Sequence, residues 1–328
     1  MSYLVIDVGG TYTKYAVMTK ECEFLEKGKI PSVRAPLEAF IESIVDIFEM
    51  YREQAEGIAL SMPGIIDGKN GFMYTGGMIE CISNINIVEL LTKRCHVPVT
   101  VENDAKCAGM AEVWRGALKE CKNAVVMVIG TGVGGAVIQN RKILYGKHFM
   151  AGEFSYYMTE SRSPCSMENA FGFTSGVGGL MKLASEKLGI AEEELSGERV
   201  FSMANCGDEK AMEAIREFAR GIALQISNYQ FILDPERIAI GGGISVQPLF
   251  LQMIKEELKK INRIYEAWSI PIPEVVTCEF FNDSNLIGAL YVHLCAKEVQ
   301  LDEEQMKEFL NLIKNRREGR YLSELLSN

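Results

Sequence analysis

The run Leu4-Val-Ile-Asp-Val-Gly-Gly-Thr-Tyr-Thr-Lys-Tyr-Ala-Val-Met18 decides the fold class. An apolar strand, Tyr3 to Val8, stops at Gly9-Gly10-Thr11 and resumes as Lys14 to Met18, which reads as a β-hairpin closed by a glycine turn. The same device returns at Asn123. Ala124 to Ile129 is apolar, Gly130-Thr131-Gly132-Val133-Gly134-Gly135 is the turn, and Ala136 to Ile138 resumes the strand. Two copies of one strand–turn–strand unit, about half a chain apart, mark an internal repeat of whole lobes rather than of short solenoid units.

The intervening segments fit an α/β alternation. Between Pro36 and Tyr51, apolar residues at 37, 40, 41, 44, 45, 48 and 51 follow helical periodicity. Gly57 to Ser61 and Val97 to Val101 read as strands, and a helix opens at Asn103 directly behind the second. Further helices are expected near 173–188, 208–233, 246–262 and 283–296, with strands at Arg237 to Ile240 and 274–280. The halves meet near residue 115, so an N-terminal α/β lobe over 1–115 and a C-terminal α/β lobe over 116–297 are expected to face each other across a cleft. The charged stretch 298–328 is expected to be a helical extension packed back on the N-terminal lobe.

Composition bounds the function. The 328 residues carry 34 Lys+Arg against 44 Asp+Glu, a formal charge of −10, which disfavours nucleic-acid and anionic-membrane binding because both need basic surface. The nine cysteines are scattered without a Cys-x-x-Cys pair, as in a reducing compartment. No secretory h-region and no apolar run of membrane-spanning length is present, so a cytoplasmic protein is expected.

An acidic protein holds an anionic ligand most readily through backbone N–H groups, and glycine turns behind strands supply them. Three occur: Gly9-Gly10-Thr11, Gly130 to Gly135, and Gly241-Gly242-Gly243. None fits a phosphate loop of the Gly-x-x-x-x-Gly-Lys-Ser/Thr type, and the second opens a strand rather than a helix, so a nucleotide held by hairpins is the better reading. Asp7, at a strand end beside the first turn, suits a water-bridged Mg²⁺, and Lys14 is placed to offset phosphate charge. Glu102-Asn103-Asp104 sits where a strand meets a helix. An N-cap explains one polar residue there but leaves two over. Phosphoryl transfer to an alcohol uses a carboxylate that accepts the hydroxyl proton, and Asp104 is the candidate.

Taken in order, Asp7-Val-Gly-Gly-Thr11, Ser61-Met-Pro-Gly64, Glu102-Asn-Asp104, Gly130-Thr-Gly-Val-Gly-Gly135, Ala151-Gly-Glu153 and Gly241-Gly-Gly-Ile244 resemble the ROK family over about residues 3–295. That family comprises bacterial sugar kinases and related repressors. The resemblance implies a two-lobed actin/hexokinase/Hsp70-like (ribonuclease H-like) fold, with a mixed sheet flanked by helices in each lobe. It implies Asp104 as the base toward the sugar C6 hydroxyl, and Asn103, Glu153, Gly64 and Tyr156 on the sugar. Gly9, Gly10, Thr11, Lys14, Gly130, Thr131 and Gly132 would hold the β- and γ-phosphates of ATP, with Gly241, Gly242 and Gly243 beside the adenosine and α-phosphate. Asp7 would orient the Mg²⁺ water shell.

The sequence departs from the family at one place. A Glu-x-Gly-His run followed by a cysteine-rich zinc segment is typical; here the run is Glu153-Phe-Ser-Tyr156, and only Cys165 follows within 40 residues, so no structural zinc is expected. In the family, the histidine and glutamate of that segment reach the C1–C2 side of the sugar. Without them that side is open to a substituent on O1, which points to a β-glucoside such as cellobiose. Gly76, Gly77, Ile85 and Asn86 resemble the β-glucoside branch as well. Glucose, N-acetylmannosamine and fructose remain alternatives, and a non-catalytic sugar-binding regulator is the rival of another class. With Asp7 six residues from Met1, no room is expected for the helix-turn-helix domain of the family's repressors. The partners in view are the sugar, ATP and, as a homodimer, a second copy of the chain.

Overall fold

The computed structural model describes residues 1–159 and 166–297; the expectations for Cys165 and for the extension after 297 lie outside them. The first half runs β1 (Ser2–Val8), β2 (Tyr12–Thr19), β3 (Phe24–Pro31), α1 (Leu37–Met50) and β4 (Ala55–Met62). It continues through the short strands β5 (Ile66–Asp67), β6 (Phe72–Met73) and β7 (Ile85–Asn86) to α2 (Ile87–Cys95), β8 (Val99–Asn103) and α3 (Asp104–Arg115). The second half holds β9 (Ala124–Ile129), β10 (Val133–Gln139), β11 (Lys142–Ile143), α4 (Phe171–Ser175), α5 (Val177–Leu188), α6 (Gly197–Asn205), α7 (Glu209–Leu233), β12 (Arg237–Gly241), α8 (Pro248–Asn262) and β13 (Glu274–Thr277). A last helix, α9, occupies 284–297.

The repeat is explicit in the topology. One sheet is ordered β3-β2-β1-β4-β8 and the other β11-β10-β9-β12-β13. In each, an antiparallel hairpin meets two strands added in parallel to its first strand. Both sheets are covered on both faces, which is why their central strands read as unbroken apolar runs. Because successive side chains alternate, β1 sends Leu4, Ile6 and Val8 toward Phe40, Ile44 and Phe48 of α1. It sends Tyr3 and Val5 toward Leu286, Ile287 and Leu290 of α9. β9 likewise gives Val125, Met127 and Ile129 to the α7 side, and Ala124 and Val126 to Met110 and Val113 of α3.

Helix α3 therefore lies between the two sheets, and its small residues set how close they come. A side chain on Gly109 would meet Ala136 at 2.6 Å, and one on Gly288 of α9 would meet the Cys107 carbonyl at 1.7 Å. Near its end stands Glu112, fully buried. Its carboxylate accepts from the Ala117 N–H (2.8 Å) on the way into the second sheet, and from the Glu279 (2.9 Å) and Phe280 (3.3 Å) N–H groups on the way back. One side chain thus pins both crossings between the halves.

Several elements differ from the sequence expectation. β3 was not foreseen: it is an exposed edge strand, Phe-Leu-Glu-Lys-Gly-Lys-Ile-Pro, with no apolar alternation, and charge is how edges are kept from pairing further. The helix expected at 173–188 is broken at Gly176, where a β-carbon would lie 2.3 Å from the Thr131 carbonyl. The strand expected to reach 280 stops at Thr277, because the Glu279 and Phe280 N–H groups go to Glu112 instead of a ladder. Helices α2 and α6 and the β5–β7 sheet also went unread. No helix among the described residues is long and apolar enough to cross a membrane.

Replacing Glu112 by Ala leaves three part-buried N–H groups without their acceptor, and an orphaned group costs about 1–3 kcal/mol where water cannot replace the partner. Urea unfolding of Glu112→Ala should show a loss of about 3 kcal/mol or more, with Glu112→Gln intermediate; a loss within experimental error would show that the crossings do not depend on this carboxylate.

Candidate active site

The two sheets face a cavity of about 390 Å³. Of the residues singled out in the sequence, Gly64, Asn103, Asp104, Gly130, Thr131, Gly132, Glu153 and Tyr156 line it together. They come from the C-terminal end of β8, the loop after β4, the β9–β10 turn and the segment after β11. Gly9, Gly10, Thr11, Lys14 and Gly241 to Gly243 are outside that lining and form the β1–β2 hairpin and the end of β12.

Each position has a local cause. Gly64 has φ +110° and its missing β-carbon would fall 2.0 Å from the Thr75 carbonyl, so only glycine lets the loop after β4 turn under β6. Asn103 donates its amide to the Gly64 carbonyl (3.0 Å) and accepts the Lys106 N–H (3.1 Å) as the N-cap of α3. Capping and cavity-lining are thus one residue's work. Glu102 turns the other way: it is buried, accepts the Asn103 N–H at 2.7 Å and the Tyr145 hydroxyl, and is absent from the cavity wall. Burial raises its carboxyl above the usual range.

Asp104, the first residue of α3, accepts the Ala105 N–H (2.7 Å) and keeps part of its surface open to the cavity. Desolvation pushes its carboxyl from 3.8 up to about 6; the Ala105 N–H and Lys106 pull it down, and the charges of Asp7 and Glu153 push it up. A carboxylate held near neutrality is matched to accepting a proton from an alcohol. Glu153 is half-buried opposite, and its Oε1 accepts from the buried ammonium of Lys106 at 2.8 Å. Tyr156, 53% exposed, stands at the cavity edge.

Asp7 is buried at the end of β1, and burial raises its carboxyl. Its Oδ1 accepts both the Ser61 hydroxyl (2.8 Å) and the Asn285 amide (3.0 Å), while Oδ2 takes no hydrogen bond among the described residues. Lys14 is its cross-strand partner in the β1–β2 register. A single carboxylate with one uncommitted oxygen suits Mg²⁺, which keeps most of its waters and binds the rest through substrate phosphate. Among the described residues no group of three or more His, Cys, Asp or Glu is gathered to hold a metal ion.

The first two glycine turns are each closed by a backbone hydrogen bond, over different spans. The Gly9 N–H bonds the Tyr12 carbonyl (3.1 Å), and the Gly130 N–H bonds the Gly132 carbonyl (2.9 Å). The first turn is braced by Ser32 on the Gly9 carbonyl (2.6 Å) and Arg34 on the Gly10 carbonyl (2.9 Å), and the second by the Val177 N–H on the Gly130 carbonyl (2.8 Å), at the start of α5. Gly242, at φ +91°, lies where a β-carbon would be 2.0 Å from the Ile129 carbonyl, which seats the third turn against the second.

Four residues here escaped the sequence reading: Asn285 on Asp7, Lys106 on Glu153, and Ser32 and Arg34 on the first turn; Ser61, read only as part of the Ser61–Gly64 motif, has its contact with Asp7 from the fold alone. Asn285 lies 278 positions from its partner, and Lys106 looks like any lysine in a helix's first turn. Only the adjacency of Lys106 to Asp104 carried a signal.

The ROK family's sequence model matches residues 3–295. A β-glucoside kinase from Klebsiella pneumoniae is 32% identical over 89% of this chain and 95% of its own length. A glucokinase from Halalkalibacterium halodurans is 30% identical over 87% and 93%. The crystal structure of a ROK family protein from Streptococcus pneumoniae in complex with sucrose superposes with a TM-score of 0.82 at 30% identity, over 91% of this chain and 99% of that one.

The Asp104 shift has a stability consequence. With a folded value of about 6 against 3.8, the native state binds more protons than the unfolded chain between those pH values, so stability is full below about 4 and is lost as pH rises through 6. Asp104→Asn abolishes that penalty and should stabilise the protein by about 1–3 kcal/mol at pH 7, the difference vanishing below pH 4. Thermal melts across pH test this; a gain independent of pH, or none at 7, would contradict the placement of the charge.

Proposed function

The chain belongs to the ROK family and is an ATP-dependent sugar kinase, and on that premise we propose that it transfers the γ-phosphoryl group of ATP to the C6 hydroxyl of a β-glucoside, giving the sugar 6-phosphate and ADP. The observation that carries this reading is that Asp104, poised near neutrality, shares one cavity with the Gly130–Gly132 turn. In this mechanism Asp104 accepts the C6 hydroxyl proton as that oxygen bonds to the γ-phosphorus and the bridging oxygen leaves with ADP. Asn103 and Glu153 fix the sugar's other hydroxyls, so that the attacking oxygen is held in line. The N–H groups of Gly10, Thr11, Thr131 and Gly132, which the turns' own carbonyls do not take, receive the phosphate charge, with Lys14 beside the first turn, and Gly241 to Gly243 flank the nucleotide. Asp7, through water, is the residue that would hold Mg²⁺, which when bound screens the β- and γ-phosphates.

The β-glucoside assignment draws on Tyr156. Where the family's histidine would stand, an exposed aromatic ring borders the cavity and offers a face for a second pyranose ring or an aglycone. A relative that binds the disaccharide sucrose, and another that is a β-glucoside kinase, are in keeping with it. We further take the lobes to be 1–115 and 116–297, with α9 returning to the first sheet, and the crossings at Glu112 to be the hinge about which they close and exclude water. An ATP-consuming enzyme of this kind acts in the cytoplasm.

Two measurements test the reading. Across a sugar panel, kcat/KM for cellobiose should exceed that for free glucose by about tenfold, the scale of a well-filled subsite; good turnover of free hexoses with none of cellobiose would overturn it. For the preferred sugar, log kcat/KM should fall with unit slope below about pH 6, where Asp104 protonates. Asp104→Asn should lower kcat by about 10²–10⁴-fold, whereas turnover comparable with the parent would remove Asp104 from the role of base.

A further inference from the structure

Asp104 and Glu153 line the cavity, Asp7 and Glu102 are buried outside its lining, and one cation is buried with these four acids. Lys106 is 1% exposed, the one Lys or Arg that is buried among the described residues. Its Nζ donates to Glu153 Oε1 at 2.8 Å, joining α3 to the segment after β11, and its N–H is held by Asn103 Oδ1. A buried ion pair is poor evidence of a stability role, because its desolvation cost offsets its attraction and an apolar pair of similar shape often does as well. The placement of this pair, between a wall residue of the cavity and the residue two positions after Asp104, calls for another account.

We propose that Lys106 is a positioning residue of the kinase site, which fixes the Glu153 carboxylate for a sugar hydroxyl and supplies the positive field under which Asp104 can accept a proton. The inference rests on the kinase reading above and adds a residue to it. A carboxylate tied through one oxygen to a buried ammonium has a defined rotamer and still accepts through the other. The titratable groups that act on Asp104 are Asp7 from β1, Glu153 from the loop before Phe154 and Lys106 from α3; Cys107 of α3 feels Asp104, and Glu102 of β8 feels Lys106. Three of these are acids, Cys107 is kept neutral by burial, and only Lys106 opposes them. Both Asp104 and Glu102 are pulled down by it.

Charge and geometry are separated by three variants. Lys106→Gln keeps an N–H for Glu153 but loses the charge: the acid limb of log kcat/KM against pH should move up by about one unit. Glu153→Gln leaves Lys106 unopposed, and the limb should move down by a similar amount. Because a buried single substitution can unfold the protein, Lys106→Met/Glu153→Met removes both partners; its limb should return to within about 0.3 unit of the parent, while sugar affinity falls about tenfold. Affinity is read by calorimetry without ATP, alongside a melt that confirms folding. The proposal is overturned if the two singles leave the limb unmoved, if both shift it the same way, or if the double variant binds sugar like the parent. A parent that binds sugar but never consumes ATP overturns the kinase reading instead, and the affinities of the same variants then decide the role of the pair.

Discussion

The burial of α3 between the two sheets is the constraint on which the rest depends. That helix is narrow, with Ala105, Cys107, Ala108, Gly109 and Ala111 along it, and β10 and α9 press on it with no room for a methyl group at Gly109 or at Gly288. Its two ends do opposite jobs. At the N-terminus, Asn103, Asp104 and Lys106 are placed within three residues of the last strand position. Toward the C-terminus, Glu112 gathers the backbone of both crossings. A change in how the sheets are inclined to each other would therefore act at once on Asp104 and on Glu112. On the hinge reading proposed above, this would give lobe closure a mechanical route to the cavity without any long chain of contacts.

The second constraint is electrostatic. A chain of charge −10 that handles ATP lacks the basic surface usual for polyanions. The cavity adds to the difficulty, since Asp104 and Glu153 line it and Asp7 is hydrogen-bonded to Asn285 of its wall. On the function proposed above, backbone N–H groups in the hairpin turns would resolve this, because they carry partial positive charge without a titratable group and cannot pair with the nearby acids. The few cations are used sparingly: Lys14 opposite Asp7, Arg34 on a loop carbonyl, and Lys106 buried against Glu153. Of these, Lys14 and Lys106 stand beside acids, and Arg34 braces the first turn.

Much of this was legible in the sequence because the central strands are buried on both faces and the glycine turns interrupt them. β1, β9 and β12 declare themselves as apolar runs, and Gly9, Gly130 and Gly242 mark where they stop. The repeat of hairpin and parallel strands followed from setting Leu4 to Met18 beside Ala124 to Ile138. What stayed hidden has physical reasons. β3 faces solvent with Glu26, Lys27 and Lys29, so it carries no period-two signal. β5, β6 and β7 are two residues each, too short for any pattern. Ser61 and Asn285 find Asp7 only through folding, because nothing local to either residue announces a buried carboxylate 54 or 278 positions away.

The same reasoning explains why the polar positions that were legible are so few. In Glu102-Asn103-Asp104 the strand direction sends the three side chains to different environments: Glu102 into a buried hydrogen bond with Tyr145, Asn103 onto the helix cap and Gly64, Asp104 into the cavity. Spacing alone treats them as one cluster. Their burial separates them, since a desolvated carboxylate without a cation is held back from ionising, and one beside Lys106 less so. Glu102 has its hydroxyl donor, Glu153 its ammonium, and Asp104 its own helix N–H and the field of Lys106 without a hydrogen bond to it. Of the three, Asp104 is the acid whose negative charge the fold leaves least satisfied, and this is the condition under which taking up a proton during the reaction relieves the site instead of straining it.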